Sequence, residues 1–567
     1  MKDKRELDRI LNRIDGRRSK EYASIHGDFD FSRFTVKIRE ISEGSLETLV
    51  VVRVPQQSVA GFPPHVYNSP VRRTALEDYL TRQVARVLKK LTTFDESGVA
   101  RRHIRIAEPG QQILPRTSLV ITEEQVEARL YIELPVNEGR VDGKIAHSLF
   151  FDDLFSVTDG ALIYHNLDLD EVERVVDTME DADQIRQLLP TQGLVSFVGE
   201  DSLLQRKPGT DLPAPERQRK LIIREELVKE LDVPNAGTVR GIGIPSGLTL
   251  IIGETYSGRT ELMHAIAAGI YNHIHGDGRE YVVTQPDAAY IASEDARSVQ
   301  RVDLRTFLPL HPEQESATYS AAIADPCLAQ AASTVEMLEV GARALLFEES
   351  DSSPAFLSRD ARFDSIISGT YMNPLAAVAK ELVEEIGVSL VIAGYNCVSE
   401  FIPIADTILY LSDYEISDIT AQAKQGEFRP IGKLESAAPI TEVVDRVRWL
   451  VPSSIDASSG LEDLHVSTNG KGHLSFGRTA VNLEAIRQIA DERQTWTIGA
   501  ILSYAKDRYL DEPRALHEIL DLIDRDLSTE GLDCLNSDPD GGYARPRRYE
   551  IAAAINRLPT LRISQSS

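Results

Sequence analysis

A glycine-bounded loop between an apolar strand and an apolar helix constrains this chain more than any other feature of its sequence. The loop reads Gly253-Glu-Thr-Tyr-Ser-Gly-Arg-Thr260, with apolar residues at 248–252 before it and at 262–266 after it. In the pattern G-x-x-x-x-G-K-[ST], loop N–H groups and the helix N-terminus surround phosphate oxygens, and the final hydroxyl ligates Mg²⁺. The order of strand, loop and helix predicts a phosphate-binding P-loop.

One position of the loop departs from this pattern. Arg259 replaces the lysine that reaches the β and γ phosphates, and its planar guanidinium is bulkier than an ammonium group. The loop therefore predicts ATP binding with weak hydrolysis. The residues expected to contact the nucleotide are Gly253, Tyr256, Ser257, Gly258, Arg259, Thr260 and Glu261. Tyr256 is equally compatible with stacking near the base or ribose and with an ordinary surface position.

Length and composition are those of a multidomain globular protein. The chain has 567 residues, 42% of them hydrophobic and 26% charged. Its net charge of -26 would repel nucleic acid unless a local basic surface exists. Cys327, Cys397 and Cys534 are far apart and have no metal-ligand spacing, which is typical of a reducing cytoplasm. Because no apolar run approaches the roughly 18 residues of a membrane span, we expect a cytoplasmic protein that does not cross a membrane.

The pattern of apolar residues predicts three parts. Residues 1–165 combine several strands with one amphipathic helix, which indicates an N-terminal α+β domain. Residues 166–445 alternate strands and helices, which predicts a mostly parallel sheet covered on both faces and an α/β P-loop core. The predicted strands of this core are SGLTLIIG, REYVVT, ARALLFEE, VSLVIAG and ADTILYLS. Helical periodicity from Val481 to Leu558 predicts a small C-terminal, mainly helical domain over residues 465–567.

The strand ARALLFEE ends in two carboxylates after the P-loop. Glu348 occupies the place usually held by an aspartate that binds Mg²⁺, together with the Thr260 hydroxyl. The extra methylene of Glu348 predicts altered coordination of the metal. Glu349 occupies the place of the catalytic glutamate of ABC-type ATPases and would orient the attacking water. The alternative is a strand end that carries two solvated acids.

The chain resembles, from end to end, a family described as predicted ATPases of the ABC class, which includes a kinetoplastid mitochondrial RNA-binding protein. Among the stretches that carry the resemblance are SVAGFP (58–63), RRTALEDYLTR (72–82), EPGQQILPRTSLV (108–120), GIYNHIHGDGREYVVT (269–284) and ARPRRYEIAAAINRL (544–558). The resemblance implies an ABC-type P-loop core, ATP with Mg²⁺ as cofactors, and action on or with RNA.

Three motifs depart together from that family. Members carry Y-H-G-K-S-T in the loop and S-G-S-T-S-Q-A-A-N as the ABC signature, where this chain has Tyr256–Glu261 and Asp325–Ser333. The D-E-D-T-S-A-T-N-F segment is matched by Glu348–Phe356. Asp325 and Pro326 remove a phosphate donor and add a negative charge, which opposes an ATP-sandwiched homodimer. Joint departure predicts that turnover is dispensable, or that an intact paralogous subunit supplies the missing groups.

A local basic region is the sequence evidence for RNA. Residues 72–105 contain nine basic and four acidic side chains, an excess of five. A solvated helix face is the alternative, and the family resemblance favours single-stranded RNA. The residues expected to contact RNA are Arg72, Arg73, Arg82, Arg86, Lys89 and Lys90.

Two further segments are ambiguous in sequence. Glu294 and Arg297 lie where ABC proteins sense the γ-phosphate, but a salt-bridged surface turn is the preferred interpretation. No histidine follows VSLVIAG, so Tyr395 or Asn396 would stand near the usual switch position. The leading prediction is thus an ATP-binding ABC-class protein acting with RNA. The alternatives are a pseudo-ATPase scaffold and, less favoured, a P-loop phosphotransferase.

Overall fold

The computed structural model describes residues 1–41, 46–94, 100–101, 103–214, 219–309, 313–360, 372–460 and 465–564. The chain divides into two compact units. The first comprises Met1–Glu180 and Leu532–Arg545, and the second comprises Asp181–Gly531 and Pro546–Ser567. The predicted three-part boundaries stay a prediction. No helix in the described ranges is long and apolar enough to cross a membrane.

The first unit is built on a largely antiparallel sheet. Its two long strands pair antiparallel over nine residues each, and each has a run of five consecutive buried residues. The strands run in the order Lys2–Asp3, Gly27–Asp30, Thr35–Ile38, Glu47–Pro55, Gln125–Glu133 and Ile104–Arg105, with Leu119–Ile121 also paired to Gln125–Glu133.

One long helix, Pro70–Lys90, packs on this sheet. Ser69 caps it through a side-chain oxygen that accepts from the Arg72 N–H, and Pro70 fits the first turn because no N–H is needed there. Its sequence predicts an apolar stripe of Leu76, Leu80, Val84, Leu88 and Leu91. The first four are buried, and Leu91, the residue that caps the helix end, is half-buried. The other helices of eight or more residues that begin in this unit are Lys4–Ile14, Leu154–Ala161 and Leu169–Leu188.

The second unit contains a seven-stranded sheet that is parallel except for one pair. Its strands run in the order Ile222–Ile223, Glu415–Asp418, Thr407–Ser412, Leu248–Ile252, Ser389–Gly394, Ala344–Glu348 and Ala288–Tyr290. Thr407–Ser412 and Glu415–Asp418 are the antiparallel pair. The strand Leu248–Ile252, hereafter the P-loop strand, is central. The strand Ala344–Glu348, hereafter the acid strand, lies two places away, so their carboxyl ends share one edge.

One predicted strand belongs to a different sheet. REYVVT was expected in the parallel core, but Val282–Thr284 pairs antiparallel with Leu194–Gly199. The resulting four-stranded sheet has the order Val228–Val233, Gly237–Pro245, Leu194–Gly199 and Val282–Thr284. An apolar run predicts a strand but not its partner, because pairing depends on distant residues.

The helices of the second unit include the P-loop helix, Arg259–Ala268, and the helix Pro326–Glu339, hereafter the signature helix. The remaining α-helices of five or more residues in the described part are Leu375–Glu381, Ile440–Val444, Glu492–Tyr509, Leu516–Thr529 and Arg548–Asn556. The C-terminal segment also contains a meander that its helical periodicity did not predict. Its strands are Val466–Thr468, His473–Phe476 and Thr479–Asn482.

Candidate nucleotide-binding site

The P-loop backbone is closely packed. Gly253 cannot carry a side chain, because a Cβ there would lie 2.5 Å from Ser257 Oγ and 2.6 Å from the Leu411 carbonyl oxygen. Gly258 precedes the P-loop helix with φ of 96°, a left-handed conformation that favours glycine. Tyr256 also has a positive φ, of 67°, and its side chain is 92% exposed. The predicted strand, loop and helix are therefore present, and Tyr256 lies at the surface.

A hairpin turn in the main sheet supports the loop. The Tyr414 N–H donates to the Ser257 carbonyl oxygen at 2.9 Å, and its ring lies against Gly258. Gln205 Nε2 donates to the Tyr414 hydroxyl. Burial, followed by the charge of Glu261 beside it, raises the pKa of Tyr414. The sequence did not point to Tyr414, whose one local signal is its place in the turn that follows the apolar strand Thr407–Ser412.

Arg259 turns back across the loop. Its Nη1 donates to the Gly253 carbonyl oxygen at 2.6 Å, and its Nη2 donates to Glu348 Oε1 at 3.3 Å. Thr260 Oγ1 donates to the same carboxylate oxygen at 3.0 Å. Arg259, predicted to contact phosphate, and Thr260 and Glu348, predicted to hold Mg²⁺, thus lie together. They are hydrogen-bonded to one another.

Glu348 has no unused carboxylate oxygen in this arrangement. The side chain is fully buried, and its second oxygen accepts from the backbone N–H of Ser350 at 2.7 Å and from the Ser350 hydroxyl. Mg²⁺ requires oxygen ligands in near-octahedral geometry and dehydrates reluctantly. An ion between Thr260 and Glu348 would have to displace a guanidinium that already neutralises the carboxylate. The residues as placed do not fit Mg²⁺.

Glu349 lies against the loop that follows the strand Ser389–Gly394. Its carboxylate accepts from the backbone N–H groups of Tyr395, Asn396 and Cys397, with Asn396 and Cys397 at 3.1 Å. Burial alone would raise the pKa of Glu349, but these hydrogen bonds and Arg259 outweigh it and hold the pKa below its ordinary value. The main chains of Tyr395 and Asn396 thus lie beside Glu349, and their place at the switch position stays a prediction.

The next acid, Asp351, is held on the opposite side of the acid strand. It accepts from the Tyr290 hydroxyl at 2.8 Å and pairs with Arg487 at 3.2 Å. His264, on the P-loop helix, lies 3.8 Å away and is the largest of the contacts that lower the pKa of Asp351. Within the described ranges, no group of three or more His, Cys, Asp and Glu side chains is placed to hold a metal ion.

The signature helix begins with its own cap. The Asp325 side chain accepts from the Cys327 N–H at 2.9 Å, and Pro326 occupies the first helical position. Gln330, fully buried, joins this helix to the end of the acid strand. Its Nε2 donates to Ser352 Oγ at 3.0 Å, and its Oε1 accepts from the Ser353 N–H at 2.9 Å. Sequence reasoning gave Gln330 no role, because its partners lie 22 and 23 residues away.

Glu294 and Arg297 form the predicted salt bridge, but not on the surface. Arg297 is 4% exposed, pairs with Glu336, and lies 3.5 Å from Glu294. Arg557 Nη2 donates to Glu294 at 2.6 Å. The surface interpretation is therefore wrong. Arg297 is local to Glu294, whereas Arg557 reaches the cluster from 263 residues away.

Two residues expected to bind RNA have structural partners in the first unit. Arg72 is 8% exposed and donates to Asp177 at 2.8 Å and to Glu180 at 2.6 Å. Arg82 pairs with Asp78 at 2.6 Å. Asp177 and Glu180 belong to the acidic helix Leu169–Leu188, which lies outside the residues 72–105 of the charge count. Arg72 is consequently not available to a phosphate backbone.

The other four predicted RNA contacts are exposed: Arg73, Arg86, Lys89 and Lys90. Arg86 lies 3.4 Å from Glu171, and Lys89 lies 3.0 Å from Glu108. Four charges that entered the sequence count lie outside the residues whose side chains are described: Asp95, Glu96, Arg101 and Arg102.

The parallel sheet, the P-loop at its carboxyl edge and the acid strand two places away define a P-loop protein of the ABC type. Residues 168–446 match the P-loop domain of ABC ATPases, residues 4–165 match the N-terminal domain of ATPases of the ABC class, and residues 465–564 match the MRB1590 C-terminal domain. The chain belongs to the ATPases of the ABC class.

Three solved structures are similar to part of this chain. CbiO1 from Clostridium perfringens, part of the ABC transporter complex cbiONQ, is 10% identical, with 40% of this chain and 87% of that chain covered and a TM-score of 0.23. A nucleotide-free ATP-binding cassette from an ABC transporter is 10% identical over 40% and 90% of the two chains, with a TM-score of 0.21. An ATP-binding subunit of an ABC transporter is 12% identical over 44% and 97%, with a TM-score of 0.23. No curated protein matches the chain.

Proposed function

We propose that this protein binds ATP at its P-loop and hydrolyses it far more slowly than an ABC ATPase with intact motifs. The observation that carries the proposal is the state of the two acids at the end of the acid strand. Glu348 is neutralised by Arg259, and Glu349 is bound by three backbone N–H groups. The loop backbone needed for binding keeps its shape, whereas the carboxylate needed to orient water is engaged elsewhere.

Binding survives such changes better than catalysis does. Ground-state affinity draws on many loop N–H groups and on the helix N-terminus. Turnover depends on stabilising charge at one place, where a displacement of about 1 Å can cost on the order of a hundredfold in rate. The proposed function is therefore that of a nucleotide-responsive protein. The cytoplasm is its proposed setting, because the spacing of its three cysteines is typical of neither a disulfide framework nor a metal site.

Calorimetry with ATP, run beside a phosphate-release assay on the same sample, tests this proposal. We expect saturable binding and a rate of phosphate release far below that of an intact ABC ATPase measured in parallel. Absence of binding would favour the scaffold alternative, in which no nucleotide is needed. Brisk release would show that the motif changes are tolerated. Transfer of the phosphate to an acceptor other than water would favour the phosphotransferase.

We also propose that single-stranded RNA contacts the first unit at Arg73, Arg86, Lys89 and Lys90. These four exposed side chains come from one helix of an otherwise acidic protein, and phosphate contacts require such local positive charge. Ion pairs with Glu171 and Glu108 reduce the field that Arg86 and Lys89 present. The expected binding is accordingly weak and sensitive to salt. Retention of labelled RNA on a filter at increasing salt concentration tests it.

A further inference from the structure

A side chain of the protein, the Arg259 guanidinium, already places a positive charge beside the P-loop backbone and Glu348. In P-loop proteins a lysine and a metal ion together neutralise the phosphates. Here the Arg259 guanidinium lies between the Gly253 carbonyl oxygen, at 2.6 Å, and Glu348 Oε1, at 3.3 Å. It contacts the same carboxylate oxygen as the Thr260 hydroxyl, the other group expected to hold Mg²⁺.

An arginine can make this bridge, and a lysine cannot make it in the same way. The guanidinium has five N–H donors in a rigid fork, whereas an ammonium is a compact point charge. Two branches of the Arg259 fork have partners, and its Nε–H is buried without one in the described part of the chain. Nη1 and Nη2 each carry a second N–H group, so Arg259 still has donors for an incoming phosphate oxygen after it has neutralised Glu348.

We infer that this site binds nucleotide without Mg²⁺, with the Arg259 guanidinium in the place that a metal ion would take. The inference rests on the proposed nucleotide binding and names its ligand class, a metal-free nucleoside di- or triphosphate. The loop N–H groups and the start of the P-loop helix supply the remaining favourable contacts. Because Glu348 is already neutralised and fully buried, it does not need a metal to remain in the fold.

Calorimetric titration of the whole chain with ATP and with ADP, in excess Mg²⁺ and in EDTA, tests the inference. We expect the Kd of each nucleotide to agree within about threefold between the two conditions. Arg259→Lys should restore a dependence on Mg²⁺ of at least about tenfold, because the compact ammonium no longer bridges Gly253 and Glu348. Arg240→Lys, on the separate four-stranded sheet, is the matched control.

Glu348→Gln distinguishes a site in which Arg259 replaces the metal from one in which Glu348 is a metal ligand, because the two predict opposite changes in nucleotide affinity. If Arg259 replaces the metal, removal of the opposing charge should strengthen metal-free binding by about tenfold. If Glu348 is a metal ligand, the same change should weaken binding in Mg²⁺. Glu230→Gln, at an exposed position of the same unit, controls for the lost charge. Should Glu348→Gln fail to fold, the comparison of Mg²⁺ with EDTA on the unmodified chain and on Arg259→Lys decides alone.

Nucleotide binding that requires Mg²⁺ would overturn the inference and leave the proposed function standing. Absence of nucleotide binding under both conditions would overturn both. Equal binding in Mg²⁺ and EDTA, with a gain for Glu348→Gln, would support both.

Discussion

The Glu349 carboxylate lies 3.1 Å from the Asn396 main-chain nitrogen and accepts its N–H. The acid that resembles a catalytic glutamate therefore ties the end of the acid strand to the loop after the strand Ser389–Gly394. A carboxylate held by several backbone N–H groups is a strong structural connection, because hydrogen bonds to charged groups are stronger than neutral ones. We therefore predict that Glu349 stabilises the site and contributes little to the activation of water.

Glu349→Gln should consequently lower stability and leave the slow hydrolysis nearly unchanged. The amide retains one acceptor oxygen but turns an NH₂ group toward backbone donors, at a cost of about 1–3 kcal/mol. Urea unfolding measures the first effect, and phosphate release measures the second. Glu384→Gln, at an exposed position, is the matched control. A fall of tenfold or more in the rate of hydrolysis would instead identify Glu349 as catalytic. Such a fall corresponds to a rise of about 1.4 kcal/mol in the activation free energy.

The double change Arg259→Lys with Glu348→Asp should raise hydrolysis more than it raises affinity for Mg-ATP. It restores a compact ammonium and the shorter acid at the places where catalysis depends on position. We expect a gain in rate on the order of tenfold to a hundredfold and a smaller change in Kd. Single-turnover kinetics beside calorimetry separate these quantities. An unchanged rate would indicate that Asp325 and Pro326, rather than Arg259 and Glu348, keep ATP hydrolysis slow.

The protein should not dimerise in response to ATP. The Asp325 carboxylate caps the signature helix. The resemblance to ABC ATPases implies that this helix start would face a γ-phosphate held by a partner, and we expect the negative charge of Asp325 to oppose that contact. Light scattering should give the same mass with and without ATP. Asp325→Ser keeps a capping oxygen but removes the charge, and it is the variant in which association would first appear. A doubling of mass on addition of ATP to the unmodified chain would contradict this expectation.

Reversal of Arg73, Arg86, Lys89 and Lys90 to Glu should abolish retention of single-stranded RNA. Each phosphate contact on a single strand contributes about 0.7 to the slope of log affinity against log salt. The matched control reverses four exposed residues of the first helix, Lys4, Arg5, Arg9 and Arg13, with the same change in net charge. Equal loss in both variants would indicate a nonspecific effect of charge, and unchanged retention in the first would place the RNA elsewhere.

Glu77 should make the stability of the first unit depend on pH. Burial raises its pKa from 4.5 to about 8, against the hydrogen bond from the Ile121 N–H. The folded state therefore holds a proton that the unfolded chain releases. The resulting stabilisation is complete below the unfolded pKa and is lost as pH rises through about 8.

Glu77→Gln should mimic the protonated form and remove this dependence. We expect little change in unfolding free energy near pH 4 and a gain of about 1–2 kcal/mol near pH 9, since the side chain keeps partial contact with water. Urea unfolding across this range is the measurement, with the exposed Glu123→Gln as control. Equal stability of the variant and the unmodified chain near pH 9 would contradict the assignment.

Short-range pattern was enough to predict the local elements. The apolar run at 248–252, the two loop glycines and the apolar positions of the following helix specify the P-loop within about twenty residues, because strand and helix periodicities are local properties. The long strands of the first unit and the stripe of the helix Pro70–Lys90 were predictable for the same reason.

Tertiary structure decided which charged side chains can meet a ligand and which are paired within the protein. Arg259 meets Glu348 across 89 residues, and Arg72 meets Asp177 across 105. Neither pairing leaves a local signature, since an ion pair depends on which elements the fold brings together. The sequence by itself determined that this chain has a P-loop, an acid strand and altered motifs. Only the fold decided that Arg259 neutralises Glu348, that Glu349 is bound by backbone N–H groups, and that Arg72 is withdrawn from the surface. Burial of a charge requires a partner, and that partner is chosen by chain topology rather than by sequence neighbours.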